Sequence, residues 1–542
     1  MRGATLAALS VTLLVAAGLA WILLVADPRY SIDSFAGDDA GYYFAIARNI
    51  CLGHGVTFDR VGETNGFNPL QTALLVVAYR FFAPGLSVIA CYRIGVLVSL
   101  LALVAGGFFY ARLVGGFLSG GWLRPEQRRL AMAACFAFYA WFVCLKNNFG
   151  IDGPLVLLLS SIYLVGVFRS GLLPPGLGPA LVDGALLGLL FLARVDSLPF
   201  LAAAFVLMAV AAASGRAKPA AIVIRSVVAS ALVIPYLAWS FVHFGSWLPI
   251  SARIKSSFPH ANVGRSLDTI LHTSLNPADQ LSFLIAFVLA IAVAATWLKR
   301  RRDHPAAAIE AGRPAVLALL TVYLLGRFGY MLLFSRADVQ GSYVLLAHVY
   351  NVLVGITVLQ LLTLRMPALA RERAVMIACT LLLALSAGLL TLKTRGVVQR
   401  WRAIEPGGAG DEMALAEAIH GATAPGDVLY GGAFGMLAFL SDRPWINGDG
   451  VANDAAYQRA LRDGALERYL TERRVSHVVF LASPATPDSS RHIAVHGFLY
   501  GRDGSLTVDE RQALLRWRSL RGGGAEVALA RWTWTSGNAV GR

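Results

Sequence analysis

The sequence predicts a polytopic α-helical membrane protein with a C-terminal extracytoplasmic α/β domain. Three observations lead to this fold class: the composition, the length of the apolar runs and the placement of the basic residues. Of the 542 residues, 57% are hydrophobic and only 15% are charged, whereas soluble globular proteins carry about 25% charged residues. The net charge of +15 does not indicate a nucleic-acid partner, because the basic residues lie between apolar runs and do not cluster on one soluble face.

Apolar runs long enough to cross a bilayer recur along most of the chain. The first, Ala4–Ala26, would form a helix roughly 35 Å long, and it exceeds the core of about 7–15 residues of a signal peptide. We therefore predict a permanent span there and about eleven transmembrane helices in all. They cover residues 4–26, 88–112, 130–146, 150–168, 178–193, 198–213, 221–244, 280–298, 313–334, 341–364 and 374–393.

The basic residues set the predicted orientation and the domain boundaries. With the N-terminus inside, every short inner loop carries Lys or Arg, as the positive-inside rule requires. We predict a transmembrane module at 1–394, a first outer loop at 27–87 within it, and a soluble extracytoplasmic α/β domain at 395–542. In this domain we expect helices at 411–423 and 455–473, strands at 427–430 and 475–481, and a hairpin formed by 516–520 and 526–535.

An acidic pair, Asp38 and Asp39, begins the first outer loop. Adjacent carboxylates repel each other, and they are typical of a site that binds a cation, accepts a proton or holds a polyhydroxyl substrate. Alternatively, the pair caps the helix expected at Ala40–Asn49. That helix has an apolar face, with Arg48 on its polar side, and is expected to lie along the outer membrane interface. His54 lies between two glycines, as in a turn, and no second histidine at ligand spacing predicts zinc.

These residues resemble the GT-C glycosyltransferase superfamily. The resemblance consists of a first span, the acidic pair followed by Ala40 and a tyrosine pair, the turn Gly53–Gly55, and the loop Thr64–Leu70, in that order. The superfamily includes the protein O-mannosyltransferases, the aminoarabinose transferase of lipid A and the mycobacterial arabinofuranosyltransferases. These enzymes use a sugar on a polyprenyl phosphate and work on the outer face of the membrane.

Further motifs extend the resemblance over most of the chain, although each is short. One is similar to the superfamily's Asn-Gly-Met-Glu element, with Asp152 where Glu is usual; others resemble its Leu-Ala-Arg-x-Asp element and its Phe-Gly-Ser-x-x-Pro-x-Ser-x-x-x-Lys loop. They lie at 148–152, 192–196 and 244–255, and the tail follows the pattern of the superfamily's outer domain at 425–427, 443–444 and 449–450.

The resemblance implies an inverting, polyprenyl-phosphate-sugar-dependent glycosyltransferase in a bacterial inner membrane. It would transfer a monosaccharide to a glycan, lipid or protein acceptor, in the manner of the arabinofuranosyltransferases and for cell-wall biogenesis. It implies Asp38 as the base, with Asp39 orienting the acceptor or a divalent cation; the two roles are exchangeable. Lys255 and Arg194 would bind the donor phosphate. The candidate substrate-binding residues are Asp152, Asn65, Arg48, Trp247 and Ser251.

Several alternatives stay open at this point. Arg194 and Lys255 also suit a helix-end arginine paired with Asp196 and a snorkelling interfacial lysine, and Trp247 suits an interfacial anchor. The carboxylates Asp449 and Asp454 are expected on the surface. Two other functions compete, a non-catalytic lipid- or glycan-binding scaffold of cell-envelope assembly and a lipid or sugar transporter, the latter disfavoured because no inverted repeat is visible. No cofactor is predicted, and whether Asp38 and Asp39 bind a divalent cation stays open at this point.

Overall fold

A computed structural model shows a mostly helical protein with one mixed sheet near its C-terminus. It describes residues 21, 26–119, 122–139, 149–215, 218–271, 277–301, 312–336, 345–364, 366–408, 410–432, 434–482, 490–496, 503–509, 513–518 and 526–532. The predicted span 4–26, except its residues 21 and 26, and the end of the predicted span 130–146 lie outside this part of the chain.

The membrane part is built from helices whose apolar faces form one continuous core. Its helices are α1 Pro28–Phe35, α2 Asp38–Leu52, α3 Pro69–Phe82, α4 Val88–Phe117, α5 Pro125–Tyr139, α6 Gly153–Ser170, α7 Leu177–Ala193, α8 Leu198–Ala213, α9 Pro219–Phe244, α10 Ile250–Lys255, α11 Val263–Leu271, α12 Pro277–Arg301, α13 Arg313–Phe334, α14 Leu345–Thr363 and α15 Ala368–Ala403. Among the described residues, eight helices are long and apolar enough to cross a membrane. They coincide with eight predicted spans, and the predicted span 178–193 is the 17-residue helix α7. The chain is therefore a multi-pass membrane protein.

The C-terminal part folds as helices around a mixed sheet. Its helices are α16 Glu412–Ala422, α17 Gly435–Ser441, α18 Ala455–Arg462 and α19 Leu466–Glu472, and its strands are β1 Val428–Gly431, β2 Trp445–Asn447, β3 Val475–Ala482, β4 Ser490–His496, β5 Asp503–Asp509, β6 Ala513–Arg518 and β7 Glu526–Arg531. Five strands pair in the order β2-β1-β3-β7-β6. The first three run parallel and the last two antiparallel, so the predicted α/β composition and the hairpin of β6 with β7 are confirmed.

Helix α2 joins the C-terminal part to the membrane part. Its two aspartates lie in the first turn, where they complement the helix dipole, and it ends at Gly53 in the left-handed conformation. A Cβ on Gly41 would lie 2.2 Å from the Gly435 carbonyl, so the backbones of α2 and α17 touch. The apolar core of the C-terminal part includes Tyr42 and Ile46 of α2. The region after residue 403 therefore packs on α2, within the predicted first outer loop.

Candidate active site

A cavity of about 160 Å³ lies where the membrane helices end beneath the C-terminal part. Its wall combines carboxylates, cations, tyrosines and small side chains. It is lined by Asp39, Tyr42, Tyr43, Gly66, Asn68, Ile151, Asp152, Arg194, Val195, Asp196, Pro249, Ser251, Ala252, Lys255, Ser256, Arg327, Tyr330, Met331, Ser335 and Val451. Segments far apart in the chain thus meet at one end of the bundle.

Helix ends place the charged residues around this cavity. Asp152 immediately precedes α6, and Arg194 immediately follows α7. Lys255 is the last residue of α10, and it is fixed beside the end of α13 because its carbonyl accepts from the Arg336 N–H at 3.0 Å. Arg327 lies within α13 itself. Residues at the ends of α6, α7 and α10 and one residue inside α13 therefore converge on one cavity.

The cations and carboxylates of the cavity form a linked network. Arg194 Nε lies 2.7 Å from Asp196 Oδ1 and 3.2 Å from Asp152 Oδ2. Arg327 donates to the Asp196 carboxylate at 2.8 Å and to the Asp196 carbonyl at 2.9 Å. Lys255 also interacts electrostatically with Asp196. Burial raises the pKa of Asp152, and the neighbouring Arg194 opposes this shift.

The two aspartates of the acidic pair have different surroundings. The carboxylate of Asp38 accepts the backbone N–H groups of Gly435 at 3.0 Å and Met436 at 3.1 Å, at the start of α17. Asp39 instead lines the cavity, which Asp38 does not. Of the two exchangeable roles, contact with a bound substrate is therefore open to Asp39, while Asp38 holds the C-terminal part against α2.

Tyrosines connect the cavity wall to polar groups on both sides. The Tyr43 hydroxyl accepts from Asn68 Nδ2 at 2.7 Å and contacts Asp152 Oδ1 at 3.5 Å. The Tyr42 hydroxyl donates to Asp449 Oδ2 at 2.9 Å and accepts from Asn447 Nδ2 at 2.8 Å. The C-terminal part therefore fixes one tyrosine of the wall.

The expectation that Asp449 and Asp454 are surface carboxylates is wrong. Asp454 is buried and accepts from the Tyr457 N–H and from Arg473. Asp449 is half-buried against α2. The loss of hydration raises its pKa to about 6, with a further contribution from the charges of Asp39 and Asp38 and in opposition to the hydrogen bonds it accepts. Polar spacing in the sequence does not reveal this burial, because the covering residues come from the first outer loop.

Three predicted substrate-binding residues lie outside the cavity. Arg48, expected on the polar side of α2, is buried and binds the Asp442 carboxylate at 2.7 and 3.2 Å. Asn65 accepts the Ile250 N–H at 3.0 Å and donates to the Ser240 hydroxyl at 2.8 Å, so it holds the loop before α10. Trp247 is 53% exposed, as expected of an interfacial anchor, and its ring stacks on that of Phe241 with the ring centroids 4.4 Å apart. The predicted residues Asp39, Asp152, Arg194, Ser251 and Lys255 do meet in the cavity.

Sequence reasoning missed the cavity residues Arg327, Tyr330 and Asn68. Arg327 had a usable signal, because an arginine inside an otherwise apolar span is costly and usually functional. Tyr330 lies one helical turn further along the same helix. Asn68 belongs to a loop whose sequence contains several polar residues of equal promise, and only the fold selects it.

The described residues do not fit a divalent cation at the acidic pair. Both oxygens of Asp38 accept backbone N–H groups at the start of α17, and of the pair only Asp39 lines the cavity. Across the described part of the chain, no three His, Cys, Asp or Glu side chains are grouped as a metal site requires.

No family model and no curated protein matches the sequence. Among solved structures, the apo oligosaccharyltransferase of Archaeoglobus fulgidus is similar at 12% identity, with 88% of this chain and 69% of that chain covered and a TM-score of 0.51. ArnT of Cupriavidus metallidurans is similar over 98% of both chains at 14% identity, in its structure bound to undecaprenyl phosphate, with a TM-score of 0.46. Its apo structure gives 13% identity, 96% and 97% coverage, and a TM-score of 0.44. At 12% identity the likeness concerns the fold alone, which this chain shares with the oligosaccharyltransferase.

Proposed function

We propose that the protein transfers a monosaccharide from a polyprenyl-phosphate donor to a hydroxyl of a glycan, lipid or protein acceptor, with inversion. One observation carries the proposal: a carboxylate, Asp39, and the cations Lys255, Arg194 and Arg327 line the same small cavity at the end of an apolar bundle. Glycosyl transfer from a phosphate needs both kinds of group, a proton acceptor and a stabiliser of the leaving phosphate. The motifs that resemble the GT-C superfamily and the fold shared with the oligosaccharyltransferase support the same reaction class.

In the proposed mechanism, Asp39 accepts the proton of the acceptor hydroxyl as its oxygen attacks the anomeric carbon. The bond between that carbon and the phosphate oxygen breaks, and the electron pair leaves with the polyprenyl phosphate. Because the transfer is a single displacement, the configuration at the anomeric carbon inverts. Lys255 and Arg327 stabilise the charge that develops on the phosphate, and a fixed cation in such a site contributes about 3–4 kcal/mol.

The shape of the membrane part supports a lipid-linked donor. The cavity lies at the ends of membrane helices, where a phosphate can reach the cations while its prenyl chain stays in the bilayer. Because the inner loops of the predicted topology carry the basic residues, we place the cavity and the C-terminal part on the extracytoplasmic face of a bacterial inner membrane.

The test is transfer of radiolabelled sugar by the purified protein from a panel of polyprenyl-phosphate sugars. We compare the wild type with Asp39→Asn and use Asp463→Asn, at an exposed aspartate outside the cavity, as the matched control. We expect turnover with one donor, a loss of about 10²-fold or more in Asp39→Asn, and an unchanged rate in Asp463→Asn. Thermal unfolding of each variant checks that it is folded.

Three results would overturn the proposal. Turnover that survives Asp39→Asn would remove the assigned base. No turnover with any donor, together with saturable lipid binding that Asp39→Asn leaves unchanged, would favour the non-catalytic scaffold. Movement of the intact lipid across vesicle membranes without sugar transfer would favour the transporter.

A further inference from the structure

The C-terminal part supplies a segment of the cavity wall. Val451 lines the cavity, and the preceding residues Asn447 and Asp449 hold the hydroxyl of Tyr42, which lines it as well. Asn447 also donates to Asp449, so the three side chains form a closed set of hydrogen bonds. Tyr42, on α2, lies about four hundred positions before Asn447 and Asp449 in the sequence.

This segment is fixed in place on the first outer loop. A Cβ on Gly66 would lie 2.2 Å from the Val451 carbonyl oxygen, so the two backbones are in contact. The Thr64 hydroxyl donates to the Asn453 carbonyl at 3.1 Å. Asp449 therefore has a defined position beside α2.

We propose that Asp449 is a positioning residue for the transfer: its carboxylate orients Tyr42 in the cavity wall and places a negative charge beside Asp38 and Asp39. The inference rests on the proposed function, because it assigns a role in that reaction. A negative charge near Asp39 favours the uptake of a proton there as the acceptor hydroxyl attacks. Tyr42, which lines the cavity, is held in place by the hydrogen bonds of its hydroxyl to Asp449 and Asn447.

The groups that face Asp449 make its charge dependent on pH. They are Asp38, Asp39 and Tyr42 on α2, Tyr430 on β1, and Tyr457 on α18. Burial raises the pKa of Asp449 to about 6, above the usual value for an aspartate; the charges of Asp39 and Asp38 add to the shift, and the hydrogen bonds from the Val451 N–H and Tyr42 oppose it. Above about pH 6 the ionised carboxylate accepts from Tyr42; below it, Asp449 is protonated and the negative charge is lost. We therefore expect turnover to rise as the pH increases through 6.

The experiment is the pH dependence of kcat between about pH 5 and pH 8. In the wild type we expect an inflection near pH 6. In Asp449→Asn we expect the inflection to disappear, kcat at the upper end to fall about tenfold, and the donor KM to stay within about threefold. In Tyr42→Phe we expect the inflection to persist at a higher pH, because the hydrogen bond from Tyr42 lowers the pKa of Asp449.

The matched control is Asp454→Asn, in the same part of the chain. Asp454 is buried and hydrogen-bonded but does not line the cavity, so its variant should unfold more readily and keep the inflection. The inference is overturned if Asp449→Asn keeps the wild-type inflection, or if both variants lower kcat equally with the pH profile unchanged. Absence of turnover in the wild type at every pH would refute the proposed function itself, and the inference with it.

Discussion

Replacing Gly41 by alanine tests the joint between α2 and α17. The added Cβ would lie 2.2 Å from the carbonyl carbon and oxygen of Gly435 and 2.4 Å from the Met436 nitrogen. Ordinary contacts begin at 3.4 Å, so two backbones must separate by about 1.2 Å. That movement breaks the hydrogen bonds from α17 to Asp38 and displaces Asp39, the next residue. We expect a loss of about 1–3 kcal/mol in the free energy of unfolding.

The same movement should also slow the proposed transfer, since a misplacement of about 1 Å at a reacting group costs on the order of 10²-fold in rate. The assay is thermal unfolding in detergent together with kcat for whichever donor of the polyprenyl-phosphate sugar panel supports turnover. The matched control is Gly166→Ala in α6, where nothing lies within 4 Å of the added Cβ and alanine stabilises a helix by about 1 kcal/mol. Equal stability and equal kcat of the two variants would refute the claim that the joint positions the site.

Three further predictions concern the ion pair at Asp442, the loop held by Asn65 and the cavity residue Arg327. Burial alone would raise the pKa of Asp442, but hydrogen bonds from Arg48 and Arg60 hold this pKa below its usual value. The ionised carboxylate therefore stabilises the folded protein above about pH 4, and this stabilisation is lost as the pH falls through the lowered pKa. We expect Asp442→Asn to lower the free energy of unfolding at neutral pH by about 1.5–3 kcal/mol, and the gap from the wild type to close in acid melts; a gap that persists there would contradict the linkage. Asn65→Ala removes two buried hydrogen bonds, so we expect a loss of about 1–3 kcal/mol in thermal melts and a higher donor KM, and an unchanged melt would show that Asn65 does not hold its loop. Arg327→Met should reduce kcat by about 10²–10³-fold and Arg327→Lys by less, and equal rates of the two variants would show that the positive charge at this position has no part in the transfer.

The membrane helices were predictable because their signal is local. A run of about 18 apolar residues is long enough to identify a span without knowledge of its neighbours, and the eight long helices coincide with predicted spans. The helix predicted at 455–473 is two helices, because Gly464 with a φ of 67° interrupts it between Arg462 and Leu466. The periodicity of the apolar residues continues across that break, so the pattern alone does not reveal it.

The site was predictable only as a set of charged residues at helix ends. Neighbouring positions on a helix point about 100° apart, so the adjacency of Asp38 and Asp39 says nothing about which one meets the cavity. The packing of α17 decides which one does, because two backbone N–H groups of α17 donate to the carboxylate of Asp38. The partners of Arg48 and Tyr42 lie 394 and 407 positions away, and a single sequence carries no signal for contacts of that range.

The charge balance of the cavity explains why both kinds of group are needed. Asp39, Asp152 and Asp196 are matched by Arg194, Lys255 and Arg327, so the wall is formally neutral. In the proposed reaction Asp39 loses its negative charge as it takes a proton. The phosphate gains up to one negative charge as the sugar leaves. The total charge in the cavity stays the same while one negative charge moves from the carboxylate to the phosphate. Such a site does not need a large net positive charge; it needs fixed cations placed where the charge arrives, and the network that anchors Arg194 and Arg327 on Asp196 holds them there before the reaction begins.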